Sequence, residues 1–358
     1  MSIIALALLA TACKDSKSTT SPAELLKQRL ERLTQKGIMF GHQDDLAYGV
    51  KWYMQEGGSD VKEVTGDYPA LYGWDIGNIG NEKNLDGVPF DKMQQWIIES
   101  HQRNGISTIS WHVFAPDGTD SWNTQKPIVN EILPGGIQHD AFNEKLDLVA
   151  DFMKSLRTPQ GVQVPVIFRP WHEMNGQWFW WGSGHCTVDE YKSLFKYTVD
   201  YLKDVKGVDN MLIAFSPDRS FNSIAEYLTC YPGDEYVDVL GFDDYHDFKV
   251  ENGHEIVDKK LNIVAQIAKD KNKIYAFTET GYDGVKDAKW FTDTLLPILK
   301  SANEIKKMSY VMLWRNANFD KEQKDHYFTP YSGHPSESNF RKFVNDPVIL
   351  LNSQVVFD

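Results

Sequence analysis

The sequence predicts an α/β fold, and within that class a single (β/α)8 barrel with an active site at the carboxyl ends of its strands. Three features support this: eight short runs rich in β-branched and aromatic residues, helical patterns between them, and a polar or aromatic end to every run. The runs begin apolar without alternation, which is typical of strands buried on both faces of a parallel sheet. The eight repeated units, and the absence of a glycine-rich phosphate loop, disfavour the competing doubly wound sheet.

The predicted strands follow one another along the chain at residues 38–43, 68–77, 106–114, 164–173, 211–218, 237–246, 273–281 and 308–317. Their ends carry His42 and Gln43, Trp74 and Asp75, Trp111 and His112, His172 and Glu173, Asp218, Asp243 to His246, Glu279, and Trp314 and Arg315. Barrel strands place their carboxyl ends around one mouth, so these side chains predict a single site there.

Helices are predicted where apolar residues recur at spacings of three and four, which marks one helix face. Three such faces are Leu26, Leu30 and Leu33; Phe142, Leu146, Val149, Met153 and Leu156; and Tyr191, Phe195, Thr198, Leu202 and Val205. Ser21 and Pro22 form a typical start for the first helix. The pair Thr187 and Glu190 has the spacing of a capping box at the start of the third.

The amino-terminal segment divides the chain. Residues 1–13, "MSIIALALLATAC", are apolar, end in small residues and are shorter than the roughly 20 residues that a membrane span needs. They are typical of an export signal, and "ATAC" resembles a lipobox in which Cys13 becomes lipidated. We interpret residues 14–21 as a tether and 22–358 as the barrel. We therefore expect an exported protein, either periplasmic or anchored to the outer membrane as a lipoprotein.

Charge and cysteine content narrow the range of partners. The formal net charge of −13 argues against nucleic acid and against anionic membrane surfaces, while leaving neutral ligands open. Contact with a membrane is expected only through the lipid anchor, and we expect a monomer. Cys186 and Cys230 fit either a disulfide or two free thiols, and no CxxC pattern indicates a metal site.

Two glutamates at strand ends point to chemistry on a glycosidic bond. This reaction needs two carboxyl groups in different environments, one protonated and one ionised. Glu173 ends the fourth predicted strand and Glu279 the seventh, so a barrel would place them across the mouth from each other. A separation of about 5–5.5 Å would indicate a retaining enzyme, and a wider one an inverting enzyme.

The stretch "WFWW" at residues 178–181 follows Glu173 directly. Sugars present C–H faces that stack on aromatic rings, so these residues can supply a stacking surface. Indole beside a carboxyl group also lowers the local dielectric, which raises the pKa of that carboxyl group. We predict that Trp178 faces the substrate and leave the other three open, because rings on one loop also pack on each other.

At these residues the sequence resembles glycoside hydrolase family 26, the β-mannanase family of the clan with catalytic glutamates on strands four and seven. The resemblance rests on five segments in family order, "FGHQDDLAYG" (40–49), "RPWHEMNGQWFWWG" (169–182), "GFDDYH" (241–246), "FTETGYD" (277–283) and "LWRNA" (313–317). It implies that Glu173 is the general acid/base and that Glu279 is the nucleophile. It also implies that Arg169 keeps Glu279 ionised.

The resemblance further implies a set of substrate-binding residues: His112, His172, Trp178, Asp243, Tyr245, Trp314 and Arg315. Within this set, His172 would bind the sugar 2-hydroxyl or hold the nucleophile, and Tyr245 would bond the nucleophile. Trp178 would be the platform toward the leaving group. Trp314 and Arg315 would lie on the non-reducing side.

The expected function is that of a retaining endo-β-1,4-mannanase acting on mannan, galactomannan or glucomannan, without a metal or organic cofactor. An exo-acting enzyme that releases mannobiose, or a mixed-linkage β-glucanase, would use the same site, and the loops at 115–138 and 318–335 would decide between them. A non-catalytic carbohydrate-binding protein would share the tryptophans but has no need for both glutamates. A metal-dependent hydrolase is disfavoured, because "WHEMN" lacks the H-E-x-x-H spacing.

Overall fold

The computed structural model describes residues 20–317, 322 and 326–356. The predicted export signal with Cys13, and residues 14–19 of the predicted tether, lie outside this part of the chain. Within the described residues, none of the helices combines the length and the apolar character that crossing a membrane requires.

The strands are, in chain order, β1 (Ile38–Gln43), β2 (Tyr48–Gly49), β3 (Trp52–Tyr53), β4 (Leu71–Asp75), β5 (Ile106–Trp111), β6 (Val166–Pro170), β7 (Met211–Phe215), β8 (Val239–Leu240), β9 (Asp243–Asp244), β10 (Ile274–Tyr275), β11 (Phe277–Thr280), β12 (Tyr310–Leu313) and β13 (Ile349–Leu350). The hairpin of β2 and β3 is antiparallel. The others form one curled parallel sheet in the order β10-β8-β7-β6-β5-β4-β1-β12-β11-β9, with β13 beside β1.

The α-helices are α1 (Pro22–Leu33), α2 (Asp60–Thr65), α3 (Phe90–Gln102), α4 (Val129–Ile132), α5 (His139–Ser155), α6 (Val188–Asp200), α7 (Ile224–Tyr227), α8 (Gly253–Asp270), α9 (Leu296–Ala302) and α10 (Glu337–Val344). Two π-helical turns, Tyr201–Val205 and Phe291–Leu295, continue α6 and precede α9. Helices separate the parallel strands, except β8 from β9 and β10 from β11, and this confirms the predicted α/β class.

All eight predicted runs contain strands of the curled sheet. The sixth run contains β8 and β9, and the seventh contains β10 and β11. Alternate strand residues belong to two apolar clusters, with Met39 in one and Ile38 and Phe40 in the other. Since successive strand residues point to opposite faces, the sheet is apolar on both faces, as the continuous runs predict.

Helix α1 closes one end of the sheet. Its residues Leu26, Leu30 and Leu33 join the cluster that contains Ile106 and Ile274, the first residues of β5 and β10. The helix therefore covers the ends where strands begin and leaves the carboxyl ends open. The side-chain oxygen of Ser21 accepts from the backbone N–H of Glu24, and this confirms the predicted start of the helix.

The third predicted helix is confirmed at its start and differs at its end. The capping box of Thr187 and Glu190 is formed, with a side-chain bond in each direction. The predicted apolar face extends to Val205, which is wrong, because the side chain of Val205 is exposed. The π-helical turn at Tyr201–Val205 has more residues per turn than an α-helix, so a spacing of 3.6 no longer describes that face.

Candidate active site

The chain leaves β6 through a turn in an unusual backbone conformation. The fourth predicted strand extends to Glu173, but β6 ends at Pro170. Trp171 and Glu173 both have φ of 55°, the left-handed region that side chains with a Cβ rarely occupy. A strand cannot continue through such residues, so His172 and Glu173 lie on the turn and not on the strand. Backbone of this kind costs about 1–3 kcal/mol and is concentrated at functional sites.

Glu173 lies on this turn with its carboxyl group against a tryptophan. Trp178 Nε1 donates to Glu173 Oε2 at 2.6 Å, and the backbone N–H of Glu173 donates to the Ser216 carbonyl at 2.8 Å. Burial raises the pKa of Glu173 well above its ordinary value, and the negative charges of Asp243 and Glu279 raise it further. The hydrogen bond from the indole only partly opposes these effects. The protonated form of Glu173 is thereby favoured, as a general acid requires.

Glu279 lies in β11 and is held by two donors. Tyr245 donates its hydroxyl proton to Glu279 Oε1 at 2.6 Å, and the guanidinium of Arg169 donates to Oε2. The residue is 5% exposed. Its position and orientation are therefore fixed before a substrate arrives, with one charged and one neutral partner.

Arg169 connects the two sides of the site. Its Nη1 donates to Asp243 Oδ2 at 2.6 Å, and Asp243 Oδ1 in turn accepts from Ser216 Oγ at 2.6 Å and Thr278 Oγ1 at 2.9 Å. Burial would lower the pKa of Arg169, but the charges of Asp243 and Glu279 outweigh it and raise that pKa. The guanidinium therefore stays charged and is shared by two buried acidic side chains.

Asp75, His112 and His172 form a chain of hydrogen bonds at the ends of neighbouring strands. His112 Nδ1 lies 2.7 Å from Asp75 Oδ2, and His112 Nε2 lies 3.3 Å from His172 Nε2. All three side chains are buried. The structure thus brings His112 and His172 together, but as partners of one another. The sequence marks Asp75 only as a polar strand end and gives it no role.

The aromatic loop after Glu173 divides into exposed and buried rings. Trp178 is 39% exposed, while Phe179, Trp180 and Trp181 are buried. Trp180 Nε1 donates to the Val113 carbonyl and Trp181 Nε1 to the His172 carbonyl. Three of the rings are therefore the core of the loop, and Trp178 alone among the four is available as a platform.

A second exposed indole, Trp122, was missed by the sequence reasoning. It is 49% exposed and stacks on the ring of His112, with centroids 5.2 Å apart and planes 19° from parallel. It lies in the stretch 115–138, where neither periodicity nor a family segment singles it out. Its signal in the sequence is only that of an isolated tryptophan in a polar loop.

Trp314 and Arg315 follow β12 on the same rim. The ring of Trp314 is half-buried and lies 6.3 Å from that of His112. Arg315 forms ion pairs with Asp86 at 3.2 Å and Glu322 at 2.6 Å. Its guanidinium is therefore engaged by carboxylates, and a saccharide would have to share it. Its role in binding remains a prediction.

The last candidate groups are the two cysteines and any cluster of metal-binding side chains. Cys186 and Cys230 are free thiols, so of the two alternatives the structure shows the unpaired one. Across the described ranges, no three or more histidine, cysteine, aspartate or glutamate side chains are grouped to hold a metal ion.

Comparison with known proteins identifies the family. The family model of glycosyl hydrolase family 26 matches residues 15–325. The chain belongs to this family. It is 42% identical to a GH26 β-mannanase from Bacteroides ovatus, with a TM-score of 0.89 over 94% of this chain and 97% of that one. A modular endo-β-1,4-mannanase from Cellulomonas fimi has 34% identity and a TM-score of 0.86, over 96% of this chain and 78% of the other.

Two further proteins are similar to this chain in sequence. A mannan endo-1,4-β-mannosidase of Bifidobacterium adolescentis is 33% identical over 94% of this chain. A second enzyme of that name, from Bacillus subtilis, is 33% identical over 62% of this chain. The matched parts span 35% and 60% of those relatives' own lengths. The resemblance seen in the sequence segments is thereby confirmed at the level of the family.

The raised pKa of Glu173 predicts an effect on folding. Between the ordinary glutamate pKa of about 4.3 and the raised value, the folded protein keeps a proton that the unfolded chain has lost. Linkage then makes stability fall as pH rises through this window. We expect Glu173→Gln to increase the free energy of unfolding at pH 8 and to leave it unchanged at pH 4, where both states are protonated.

Urea unfolding at the two pH values measures this difference. The exposed Glu56 provides the control, because Glu56→Gln removes a carboxylate from open solvent and should change neither value. A Glu173→Gln variant that is no more stable than wild type at pH 8 would contradict the assignment of Glu173 as a proton-holding group.

Proposed function

We propose that this chain is a retaining endo-β-1,4-mannanase that cleaves mannan, galactomannan or glucomannan. The observation that carries the proposal is the contrast between its two glutamates. Glu173 lies where burial and neighbouring negative charge favour its protonated form, and Glu279 is held by a guanidinium and a hydroxyl. The names of the relatives, which are mannan endo-1,4-β-mannosidases and β-mannanases, indicate the substrate.

The reaction follows as a double displacement. A Glu279 oxygen attacks the anomeric carbon of a mannosyl unit, while Glu173 gives its proton to the departing glycosidic oxygen. The glycosidic bond breaks, and a covalent glycosyl-enzyme forms. Glu173, now a carboxylate, takes a proton from water, whose oxygen displaces Glu279 from the anomeric carbon. Two inversions retain the configuration, and no cofactor is required.

The other side chains act on binding and orientation in this proposal. Arg169 and Tyr245 hold Glu279 on the line of attack, and Asp243 fixes Arg169. Trp178 serves as a platform on the leaving-group side, with its indole N–H bonded to Glu173. His112 and His172 form the floor of the sugar site. Trp314 forms its other side, with Arg315 as a rim group that already has two carboxylate partners.

A closed eight-stranded barrel is the fold that we propose for this activity. Strands β8 and β9 are two residues apart, β10 and β11 are one residue apart, and β8 pairs with β10 while β9 pairs with β11. We take β8 and β9 together as one interrupted barrel strand, and β10 and β11 together as another. The ten strands of this path then count as eight, and the first and last of them pair with each other, which closes the barrel. We propose that residues 22–358 form its single catalytic domain.

Mutation of the two glutamates separates their roles. We expect Glu279→Ala to lower kcat on mannan at least about 10²-fold and to preserve binding, because the attacking oxygen is lost. Glu173→Ala should impair cleavage of mannan far more than that of aryl mannosides, whose leaving groups need no proton. Initial rates measure both, with Glu56→Ala as the surface control. Retention of more than about a hundredth of wild-type activity by both variants would refute the mechanism, and a wild-type chain that binds mannan without turnover would indicate a carbohydrate-binding protein.

The early products of mannan cleavage distinguish endo action from exo action. An endo-acting enzyme should yield a ladder of oligosaccharides from linear mannan at low conversion, whereas mannobiose from the first time point would indicate exo action. The second mode is a candidate because Arg315 joins Asp86, in the loop after β4, to Glu322, beyond β12, and so ties two loops together at the rim of the site. Faster cleavage of mixed-linkage β-glucan than of mannan would contradict the substrate assignment.

For the location we propose export and anchoring through a lipid on Cys13. The apolar residues 1–13, the lipobox-like end and the short polar tether support this proposal. Cys13→Ser should abolish incorporation of labelled palmitate and move the protein from the membrane to the soluble fraction. Unchanged labelling would contradict it. We further propose that the enzyme acts as a monomer.

A further inference from the structure

We propose that Asp75 is a positioning residue that holds His112 as an imidazolium, so that His112 donates to a neutral His172 and both rings are fixed at the floor of the sugar site. This inference rests on the proposed glycoside hydrolase function. It concerns a buried carboxylate that takes no part in the double displacement.

The surroundings of Asp75 make it a fixed acceptor. Its Oδ1 accepts from the backbone N–H of Gly77 at 2.6 Å, and its Oδ2 accepts from Ser110 Oγ at 2.7 Å. His112 Nδ1 lies 2.7 Å from the same Oδ2. A carboxylate only accepts, so His112 carries a proton on Nδ1 and donates it to Asp75. This assigns a proton to one of the two ring nitrogens of His112.

The second contact links His112 to His172. Their Nε2 atoms are 3.3 Å apart and the ring planes meet at 81°, so one nitrogen donates to the other. Two arrangements are possible. Either His112 is doubly protonated and donates, or it is neutral and accepts from His172. The arrangement that is present decides the charge of the pair.

The charges around the pair favour a proton on His112. Burial opposes this proton, but the contact with Asp75 and the acidic side chains of Glu279 and Asp86 outweigh burial and raise the pKa of His112. For His172 the balance is the reverse: burial, Arg169 and His112 itself lower its pKa well below the ordinary value. The 2.7 Å contact with Asp75, together with these charges, favours His112 as the donor and a neutral His172 as the acceptor.

Ring packing makes the orientation of His112 matter to the site. The imidazole stacks on Trp122 and meets Phe179 edge-on at 5.4 Å, while His172 meets Phe179 at 5.2 Å. Phe179 belongs to the loop that carries Trp178 and follows Glu173. The two histidines therefore support the loop that carries the proposed acid/base and its platform.

The test compares Asp75→Asn with Ser110→Ala. The first removes the charge that faces His112 and keeps the size of the side chain, whereas the second removes one neutral donor from the same carboxylate. Selective 15N-histidine labelling and NMR titration report the protonation of each ring, with His112→Gln assigning the signal. Loss of an opposite charge at this distance shifts a pKa by about 1–3 units. We expect the His112 titration to fall by that amount in Asp75→Asn and to stay in place in Ser110→Ala.

Activity supplies the second measurement. We expect kcat/KM on mannan to fall at least about tenfold in Asp75→Asn, and the alkaline limb of its pH profile to move to lower pH, since His112 loses its proton earlier. An unchanged His112 titration would overturn the proposal, even if activity fell, because a purely structural role would give that result. If Asp75→Asn does not fold, a wild-type His112 titrating at or below the ordinary value of about 6.5 overturns it.

The same measurements keep this inference separate from the enzymatic proposal. A wild-type chain that shows the raised His112 titration and no turnover on any β-mannan refutes the hydrolase and leaves the hydrogen-bond chain standing. Turnover of β-mannan together with an ordinary His112 titration would support the hydrolase and refute the hydrogen-bond chain.

Discussion

The site depends on one buried cation. Arg169 lies beneath the open end of the sheet, and its planar guanidinium donates to both Asp243 and Glu279. Charges buried in this way are costly unless every partner is present, because desolvation outweighs attraction when one is removed. The three residues come from β6, β9 and β11, so the ion cluster ties together strands that are far apart in sequence. The position of Glu279 and the packing of this part of the sheet therefore depend on the same ion cluster.

The same cluster creates the difference between the two glutamates. Asp243 and Glu279 supply negative charge that raises the pKa of Glu173, whereas Arg169 contacts Glu279 directly. One group of charges therefore favours the proton on one glutamate and holds the other in place. The left-handed turn at Trp171 and Glu173 brings the acid to this position at a cost in backbone energy. Stability is given up locally for a carboxyl group that keeps its proton.

The sequence predicted the strands well and the site in part. Runs such as 38–43 and 211–218 are recognisable because strands buried on both faces must be apolar throughout, and capping boxes are local signals. The end of β6 was not predictable, since left-handed backbone at Trp171 leaves no mark on composition. Burial of three rings in 178–181, the ion pairs of Arg315 and the place of Trp122 depend on which loops meet in space. The role of Asp75 was not predictable either, because it depends on the His112 ring that its carboxyl group contacts.

The conformation of residue 173 has an evolutionary consequence. Asparagine occupies the left-handed region at lower cost than glutamate. Replacement of Glu173 by asparagine would relax the backbone, while Trp178 and the buried rings of its loop kept their scaffold. Backbone strain therefore favours an amide at residue 173, and selection that keeps a carboxyl group there works against that preference.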